Sequence, residues 1–286
     1  MGKTGPYSSW GVEKVELPAG EKREETGMIL YFTASGNSYA VAKIIAEATG
    51  DKLFDMGAAY REGRFEVPVE QGETLGFAFP TQAWSTPELV DEFVRRAKFV
   101  TPDGSKFVPG YCFSVETYGS LPGTESRFFA QMLQKYQGIS VDSAFSVKSV
   151  QNCVYLFNPP AEQEALQKAA DADQEARRIA LRVIAREKGA QANANPIGSL
   201  ISKFTGKEGK PRSIKDFYVL TDKCVGCGTC ANVCPTNTIR MVNGLPVWEG
   251  DACTQCLACL NRCPQEASQF GKSTVKRRRY VNPVLK

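Results

Sequence analysis

The chain has 286 residues, enough for one full-sized domain and one small domain. Its formal charge is +4 and it contains no histidine, which excludes haem ligation, zinc catalysis and proton transfer by that side chain. No stretch approaches the ~20 apolar residues of a membrane span, and nothing in the composition favours nucleic-acid binding.

Residues 1–26 mix charges with Pro6, Trp10 and Pro18 and show no sustained period, which predicts an extension on the surface. Residues 28–32, Met-Ile-Leu-Tyr-Phe, form a continuous apolar run of strand length. Such a run is typical of a parallel strand that is buried on both faces.

Residues 33–38, Thr-Ala-Ser-Gly-Asn-Ser, join this strand to a helix with apolar residues at helical spacing. Backbone N–H groups and the helix dipole favour an anion at a helix N-terminus. Thr33, Ser35 and Ser38 add three hydroxyl donors. We therefore predict a phosphate site at this turn.

The alternation of strand and helix then continues along the chain. Further strands are predicted at 52–56, 74–79, 111–115 and 144–147. Helices are predicted at 86–97, at 129–136 and, as a long closing helix, at 161–188. Five strands that alternate with helices predict an α/β fold with a doubly wound parallel sheet.

Three loops, residues 33–38, 79–87 and 116–123, follow the ends of strands one, three and four and resemble those of flavodoxins. The resemblance implies the strand order 2-1-3-4-5, with FMN in the crevice beside strands one and three. The implied FMN-binding residues are Thr33, Ser35, Gly36, Asn37, Ser38, Pro80, Thr81, Gln82, Ala83, Trp84, Thr117, Tyr118, Gly119 and Gly123.

Two aromatic residues in these loops, Trp84 and Tyr118, are candidates to line the flavin ring, and Gly119 would allow the backbone to approach it. The alternative is that both aromatics pack beneath the loops. Gln82 stands where related fusion proteins often carry an aromatic residue, so what covers the outer face of the flavin is left open, and a more exposed flavin could admit a substrate.

Residues 189–213 are rich in Gly, Ala, Asn, Lys and Pro and predict a linker. Within it, Ile197, Leu200, Ile201 and Phe204 fit a short amphipathic helix. Docking of one domain on the other is favoured over membrane contact because the apolar patch is short.

Eight of the ten cysteines form two copies of one spacing, C-x-x-C-x-x-C-x-x-x-C-P, that are 29 residues apart. This is the bacterial ferredoxin spacing, in which the fourth cysteine of each run binds the other cluster. Structural zinc is the alternative, although zinc takes four ligands without this exchange. The predicted ligands are Cys224, Cys227, Cys230 and Cys263 for one 4Fe-4S cluster, and Cys253, Cys256, Cys259 and Cys234 for the other.

The two remaining cysteines, Cys112 and Cys153, are predicted to be buried apolar residues. Beyond the cysteine runs, Lys272, Lys276 and residues 277–279 form a basic tail. It is either a solvated tail or a docking site for an acidic redox partner.

The whole arrangement resembles the flavodoxin–ferredoxin fusion proteins of anaerobic bacteria, sometimes called EFR1-type. The predicted segments are the extension (1–26), a flavodoxin-like domain (27–188), the linker (189–213) and a ferredoxin domain with the basic tail (214–286). Because thiolate ligands require a reducing compartment, we expect a cytoplasmic protein.

The favoured function is electron transfer between redox proteins through two 4Fe-4S clusters and FMN. No G-x-G-x-x-G turn follows a strand, so a protein donor or acceptor is expected instead of a nicotinamide. The alternative is an FMN-dependent reductase of a small unsaturated or oxidised molecule, in which Tyr118 donates a proton. A redox sensor is less favoured because no DNA-binding element is apparent.

Overall fold

The computed structural model describes residues 27–122, 125–192 and 213–286. The extension at 1–26, Gly123 and the amphipathic segment at 197–204 lie outside the described residues, so their predictions are carried no further. None of the helices in the described ranges combines the length and apolar character needed to cross a bilayer.

The larger part of the molecule alternates strands and helices, as the apolar runs of the sequence predict. Its elements are β1 (Gly27–Tyr31), α1 (Asn37–Thr49), β2 (Lys52–Asp55), α2 (Met56–Arg61), β3 (Glu66–Pro68), β4 (Thr74–Pro80), α3 (Glu88–Arg96), β5 (Lys98–Val100), β6 (Tyr111–Tyr118), α4 (Glu125–Gln137), β7 (Ser143–Lys148) and α5 (Glu162–Ile184).

Five of these strands form one parallel sheet in the order β2-β1-β4-β6-β7. Numbered among themselves, the strands run 2-1-3-4-5, so the predicted flavodoxin-like fold is confirmed. In this order the first and third strands are neighbours at the point where the chain reverses direction. The loops that follow them meet at one end of the sheet.

Each face of the sheet carries its own apolar core because neighbouring strand residues point to opposite sides. On β1, Leu30 joins the core under α3 and α4, whereas Ile29 joins the core under α1 and α5. Both residues are fully buried. The long closing helix packs against α1 and its role is structural, as its apolar spacing suggests.

The sequence analysis missed two features of this part, the short helix α2 and a small pair of strands. Strands β3 and β5 pair in parallel over three residues, apart from the main sheet. Each is too short for its periodicity to be recognised.

The cysteine-rich part contains two small antiparallel ladders, β8 with β11 and β9 with β10, and two single-turn helices. Its elements are β8 (Phe217–Val219), α6 (Thr229–Asn232), β9 (Ile239–Val242), β10 (Leu245–Trp248), α7 (Ala258–Asn261) and β11 (Ser268–Phe270), followed by 3₁₀ turns at Lys272–Lys276 and Pro283–Leu285.

This part shares its apolar core with the larger one. Val154, which follows β7, is fully buried among Phe217, Ile239 and Leu260 of the cysteine-rich part. The two parts therefore meet through packed side chains as well as through the chain that connects them.

Candidate functional site

The eight cysteines of the two runs line two separate cavities in the cysteine-rich part. We call the two groups the outer set and the inner set. The outer set is Cys224, Cys227, Cys230 and Cys263. The inner set is Cys253, Cys256, Cys259 and Cys234. Each cavity thus takes three cysteines from one run and the fourth from the other, the same grouping that the spacing suggests for the ligands.

The backbone around the two sets repeats along with the cysteines. Helices α6 and α7 are offset by 29 residues, and so are three pairs of residues in the left-handed region, where φ is positive. A left-handed residue reverses the chain tightly, which wraps each cysteine loop around its cavity. The pairs are Gly226 with Gln255, Gly228 with Leu257, and Asn237 with Glu266.

The surroundings of the two sets differ. Cys227 is exposed, and the Thr229 hydroxyl at 3.3 Å from its sulfur lowers the pKa of its thiol. In the inner set, burial raises the pKa of Cys256 to about 12 and that of Cys259 well above its usual value. The difference is one of degree, since Cys230 of the outer set is also buried and Cys253 and Cys256 of the inner set are half-buried. Among the eight, however, Cys227 of the outer set is the one exposed cysteine.

Backbone amides also reach the sulfurs of both sets. The Gln255 N–H lies 3.4 Å from Cys253 Sγ in the inner set, and the Ala267 N–H lies 3.2 Å from Cys263 Sγ in the outer set. Such N–H···S contacts stabilise negative charge on sulfur.

A cleft opens at the carboxyl ends of the central strands, where three loops predicted from the sequence come together. Of the residues predicted to bind FMN, the cleft is lined by Thr33, Ser35, Asn37, Ser38, Pro80, Thr81, Gln82, Ala83, Trp84, Thr117, Tyr118 and Gly119. Gly36 belongs to the first loop but does not line the cleft.

The first loop has its side chains fixed by hydrogen bonds. Thr33 Oγ1 accepts from the Gly36 N–H at 3.0 Å, and the Ser38 and Thr117 hydroxyls lie 2.8 Å apart. Helix α1 starts after Gly36, whose φ is 101°, and no described side chain caps its first turn. The N–H groups of that turn remain available to an anion.

The second loop makes a tight two-residue turn in which Gln82 and Ser85 exchange backbone hydrogen bonds of 3.0 and 3.1 Å. Its central residues, Ala83 and Trp84, have φ of 51° and 59°. Non-glycine residues adopt these angles at a cost and are concentrated at functional sites. The turn holds the half-buried Trp84 ring at the cleft.

In the third loop, Tyr118 is half-buried at the end of β6 and lines the cleft. Gly119 makes a close approach, but its neighbour is protein: a Cβ there would lie 2.9 Å from the Cα of Gln151. The absence of a side chain at Gly119 thus allows a fourth loop, which contains Gln151, to pack against it.

That fourth loop, residues 149–157, was missed by the sequence analysis. It follows β7 and supplies Ser149, Val150, Gln151, Asn152, Cys153, Tyr155, Leu156 and Phe157 to the cleft. Its position after a parallel strand was the available signal. Cys112 is fully buried as predicted, whereas Cys153 is only half-buried and lines the cleft, which corrects its prediction.

Beneath the cleft lies a second feature that the sequence analysis missed. Glu116 on β6 is fully buried, and burial raises the pKa of its carboxyl well above the usual value. Ser114 donates a hydrogen bond of 2.9 Å to it. Glu125 accepts one of 2.6 Å from the Thr81 hydroxyl, which faces the cleft. Burial therefore favours the neutral form of the Glu116 carboxyl, which is next in sequence to the cleft residue Thr117.

The cleft and the inner cysteine cavity are neighbours. Cys256 lines both of them, together with Leu257. Gln82 connects them as well, because its side-chain amide donates to the Thr254 and Gln255 carbonyls at 2.6 and 3.2 Å. The residue that departs from the expected aromatic thus ties the cleft to the inner cysteine loop.

The arginines of the basic tail are bonded to protein and not simply solvated, whereas docking of an acidic redox partner on the tail stays a prediction. Its three arginines donate to protein acceptors: Arg277 to the Val154 carbonyl, Arg278 to that of Pro159, and Arg279 to several groups around Gln269. The Val154 and Pro159 carbonyls lie outside the β-strands, and the guanidinium groups supply their hydrogen-bond donors. The tail fastens the two parts of the molecule to each other.

Residues 217–277 match the 4Fe-4S dicluster domain family. We call this part the dicluster region. The match covers all eight cysteines of the two sets. No curated protein matches the chain.

Solved structures resemble the larger part. A Trp repressor binding protein from Bacillus subtilis is 13% identical, over 57% of this chain and 99% of that one, with a TM-score of 0.35. A flavodoxin from the domain Archaea is 15% identical (56% and 96%, TM-score 0.31). General stress protein 14 of Treponema denticola, in complex with FMN, is 13% identical (57% and 99%, TM-score 0.32). The strand order, and not these weak similarities, establishes the fold.

The residues of the dicluster region fit iron–sulfur groups. Each cavity offers four cysteine sulfurs and amide donors to sulfur. Within the described ranges, no three cysteine or carboxylate side chains gather closely enough to hold a single metal ion. The cleft in turn offers hydroxyls, an uncapped helix start and aromatic faces, a set that suits a phosphorylated aromatic ligand.

Proposed function

We propose that the chain is an electron-transfer protein of the EFR1 type, holding two 4Fe-4S clusters and one FMN and exchanging electrons with redox proteins. The observation that supports this best is Cys256, which lines both the inner cysteine cavity and the cleft. When bound, the clusters supply one-electron chemistry, and FMN supplies one- or two-electron chemistry.

The outer set would hold one cluster and the inner set the other. Outer residues reach solvent: Cys227 is exposed and Val225 beside it is 66% exposed. A partner protein can approach this loop closely. The inner loop is covered, since Thr254 and Leu257 are only 7% and 4% exposed. This arrangement suits exchange with a partner at the outer set and with the cleft at the inner set.

In the cleft, the loop at 33–38 would hold the phosphate of FMN. Its hydroxyls and the first turn of α1 provide donors, and the helix dipole favours the negative charge. Trp84 and Tyr118 would border the ring, whose flat faces pack on aromatic side chains.

The first experiment is analytical. Protein purified without oxygen is expected to contain about eight iron atoms, an equal amount of acid-labile sulfide and about one FMN per chain. Zinc without sulfide would remove the cluster assignment. Flavin absent from the purified protein and not taken up on addition of FMN would remove the assignment of the cleft.

One observation favours the reductase alternative. Leu121, Leu156 and Phe157 line the cleft and are 41%, 51% and 46% exposed, so an apolar rim faces solvent there. A small organic substrate could bind against such a rim. Tyr118 would then be the proton donor at the site.

The two functions are separated by reoxidation. Protein reduced with dithionite and freed of excess reductant is mixed with oxidised redox proteins or with small-metabolite extracts. Reoxidation by redox proteins alone supports electron transfer. Stoichiometric two-electron reoxidation by one metabolite, abolished in Tyr118→Phe with flavin content unchanged, would establish the reductase instead.

A further inference from the structure

The last residues of the chain return to the first loop of the cleft. Asn282, 5% exposed, lies beyond the dicluster region and donates its backbone N–H to the Ser35 carbonyl at 2.7 Å. Its side-chain amide donates to Asn37 Oδ1 at 3.3 Å. Two residues of the loop are thus held from a point about 245 positions away in sequence.

These contacts fix the part of the loop that sets up the helix start. Asn37 is 8% exposed and passes the contact on, because its amide donates to the Val150 carbonyl at 3.0 Å. The peptide between Ser35 and Gly36 is held at both ends, since its carbonyl accepts from Asn282 and its N–H donates to Thr33. Little freedom remains between Thr33 and Asn37.

Gly36 shows how closely the segment packs. A Cβ at this position would lie 2.8 Å from Asn282 Cβ and 2.9 Å from Leu285 Cδ1. These distances are shorter than side chains tolerate, so the left-handed Gly36 is required by the C-terminal segment as well as by its own φ of 101°.

A second route reaches the same loop from the dicluster region. Asn261 on α7 lies between two ligand cysteines and donates to the Asn152 carbonyl at 3.1 Å. Asn152 in turn donates to Ser35 Oγ. The loop is therefore held from the cysteine-rich side by Asn261 and from the C-terminal segment by Asn282.

We propose that Asn282 is a positioning residue for the phosphate group of the flavin ligand, so that the segment after the dicluster region sets the selectivity of the cleft for FMN over riboflavin. The inference rests on the proposed FMN site. Asn282 touches the loop and not the ring-lining residues Trp84 and Tyr118. Loss of Asn282 should therefore weaken binding of the phosphate group, which FMN carries and riboflavin lacks.

The test compares two flavins on the full, cluster-loaded chain after removal of bound flavin. Asn282→Ala deletes the bond donated to Asn37 and the bond accepted from the Val284 N–H. Loss of the bond to Asn37 should weaken FMN binding about fivefold, the factor of one ordinary hydrogen bond. Asn282→Pro also deletes the N–H that Ser35 accepts, at a φ of −60° that proline adopts, and should weaken FMN further. Riboflavin affinity, measured by fluorescence quenching, should not change.

The matched control is Asn158→Ala. Asn158 also bonds the C-terminal segment, through the Arg278 N–H at 3.0 Å, but does not line the cleft. It should leave both affinities unchanged. Equal weakening of FMN and riboflavin, or no weakening in either Asn282 variant, would overturn the inference. Iron content and melting temperature report any loss of folding separately.

The outcome also distinguishes this inference from the proposed function. A wild-type chain that binds neither flavin, or binds FMN no more tightly than riboflavin, would overturn the FMN site and the inference together. A wild-type chain that prefers FMN, with the preference intact in Asn282→Pro, would overturn the inference alone.

Discussion

The outer and inner cysteine sets share their spacing, their single-turn helices and their left-handed residues, yet their first loops differ in exposure to solvent. At equivalent positions, Val225 in the outer loop is 66% exposed and Thr254 in the inner loop is 7% exposed. The inner loop is covered by the second and fourth loops of the cleft. The repeated spacing thus determines which group the cysteines of each set can bind, and packing against the neighbouring domain determines how exposed each set is.

This difference makes the two cysteine sets non-equivalent. The outer set faces solvent, where a partner can approach, and the inner set shares Cys256 with the cleft. Two symmetric motifs would offer two equivalent faces. Packing against the flavodoxin-like domain removes that equivalence, and it does so through a few contacts such as those of Gln82.

The largest expected effect comes from breaking one set at a time. Cys263→Ser should remove the outer cluster and Cys234→Ser the inner one, each lowering iron to about half. Iron analysis with spectroscopy of the remaining cluster measures this. Cys112→Ala, which deletes a buried cysteine outside both cavities, is the control and should keep all the iron. Loss of the sequence-adjacent cluster in either variant would show that the two sets are grouped wrongly.

A second large effect would show that flavin binding in the cleft can be lost without loss of the clusters. Ser35→Asp places a carboxylate in the loop at 33–38, where it would repel a phosphate, and should abolish FMN binding while iron is retained. Flavin and iron content are measured on the same sample. Ser35→Ala, which removes the hydroxyl without adding charge, should bind FMN more weakly but measurably. Unchanged flavin in Ser35→Asp would remove this loop from the site.

A moderate effect concerns exposure. The two single-cluster variants should differ in their sensitivity to ferricyanide. Cys234→Ser retains only the outer cluster, beside the exposed Cys227, and should lose iron several-fold faster than Cys263→Ser, which retains the less exposed inner cluster. Bleaching of the visible absorption follows the loss. Equal rates would mean that packing against the cleft does not protect the inner set.

The smallest effect concerns charge. Arg279 donates to the carbonyl of Ser268, which lines the outer cavity, and forms no ion pair among the described residues. Removal of this cation in Arg279→Gln should lower the potential of the outer cluster, changing its reduced-to-oxidised ratio at fixed potential by on the order of tenfold. Redox titration measures the shift. The control is Arg278→Gln, which changes the net charge by the same amount. Because Arg278 donates to the Pro159 carbonyl and not to Ser268, its replacement should shift the potential of the outer cluster less. Equal shifts would exclude a local effect.

The sheet and the cysteine sets were predictable from the sequence because they depend on local patterns. An apolar run such as 28–32 is visible within five residues, and the cysteine runs carry their spacing within a dozen. The three cleft loops were found for the same reason, since each directly follows a predicted strand.

What the sequence analysis missed depends on packing between distant segments. The side-chain amide of Gln82 could be assigned no partner from the sequence because its acceptors lie about 172 residues further along the chain. The arginines of the tail were interpreted from their charge, and the sequence could not show that Arg277 and Arg278 donate to the Val154 and Pro159 carbonyls. Asn282 carries no motif, and only its contact with Ser35 reveals it.

The central claim is that the inner set connects the outer set to the cleft, and Cys234→Ser tests it most directly. Cys234 lines the inner cavity but not the cleft, so its replacement removes the inner cluster without changing a residue of the flavin site. Wild type and variant, matched in flavin content, are mixed anaerobically with a reduced ferredoxin, and cluster and flavin absorption are followed by stopped flow. The account predicts that the outer cluster is still reduced rapidly while flavin reduction slows by orders of magnitude. Flavin reduction at the wild-type rate would contradict it.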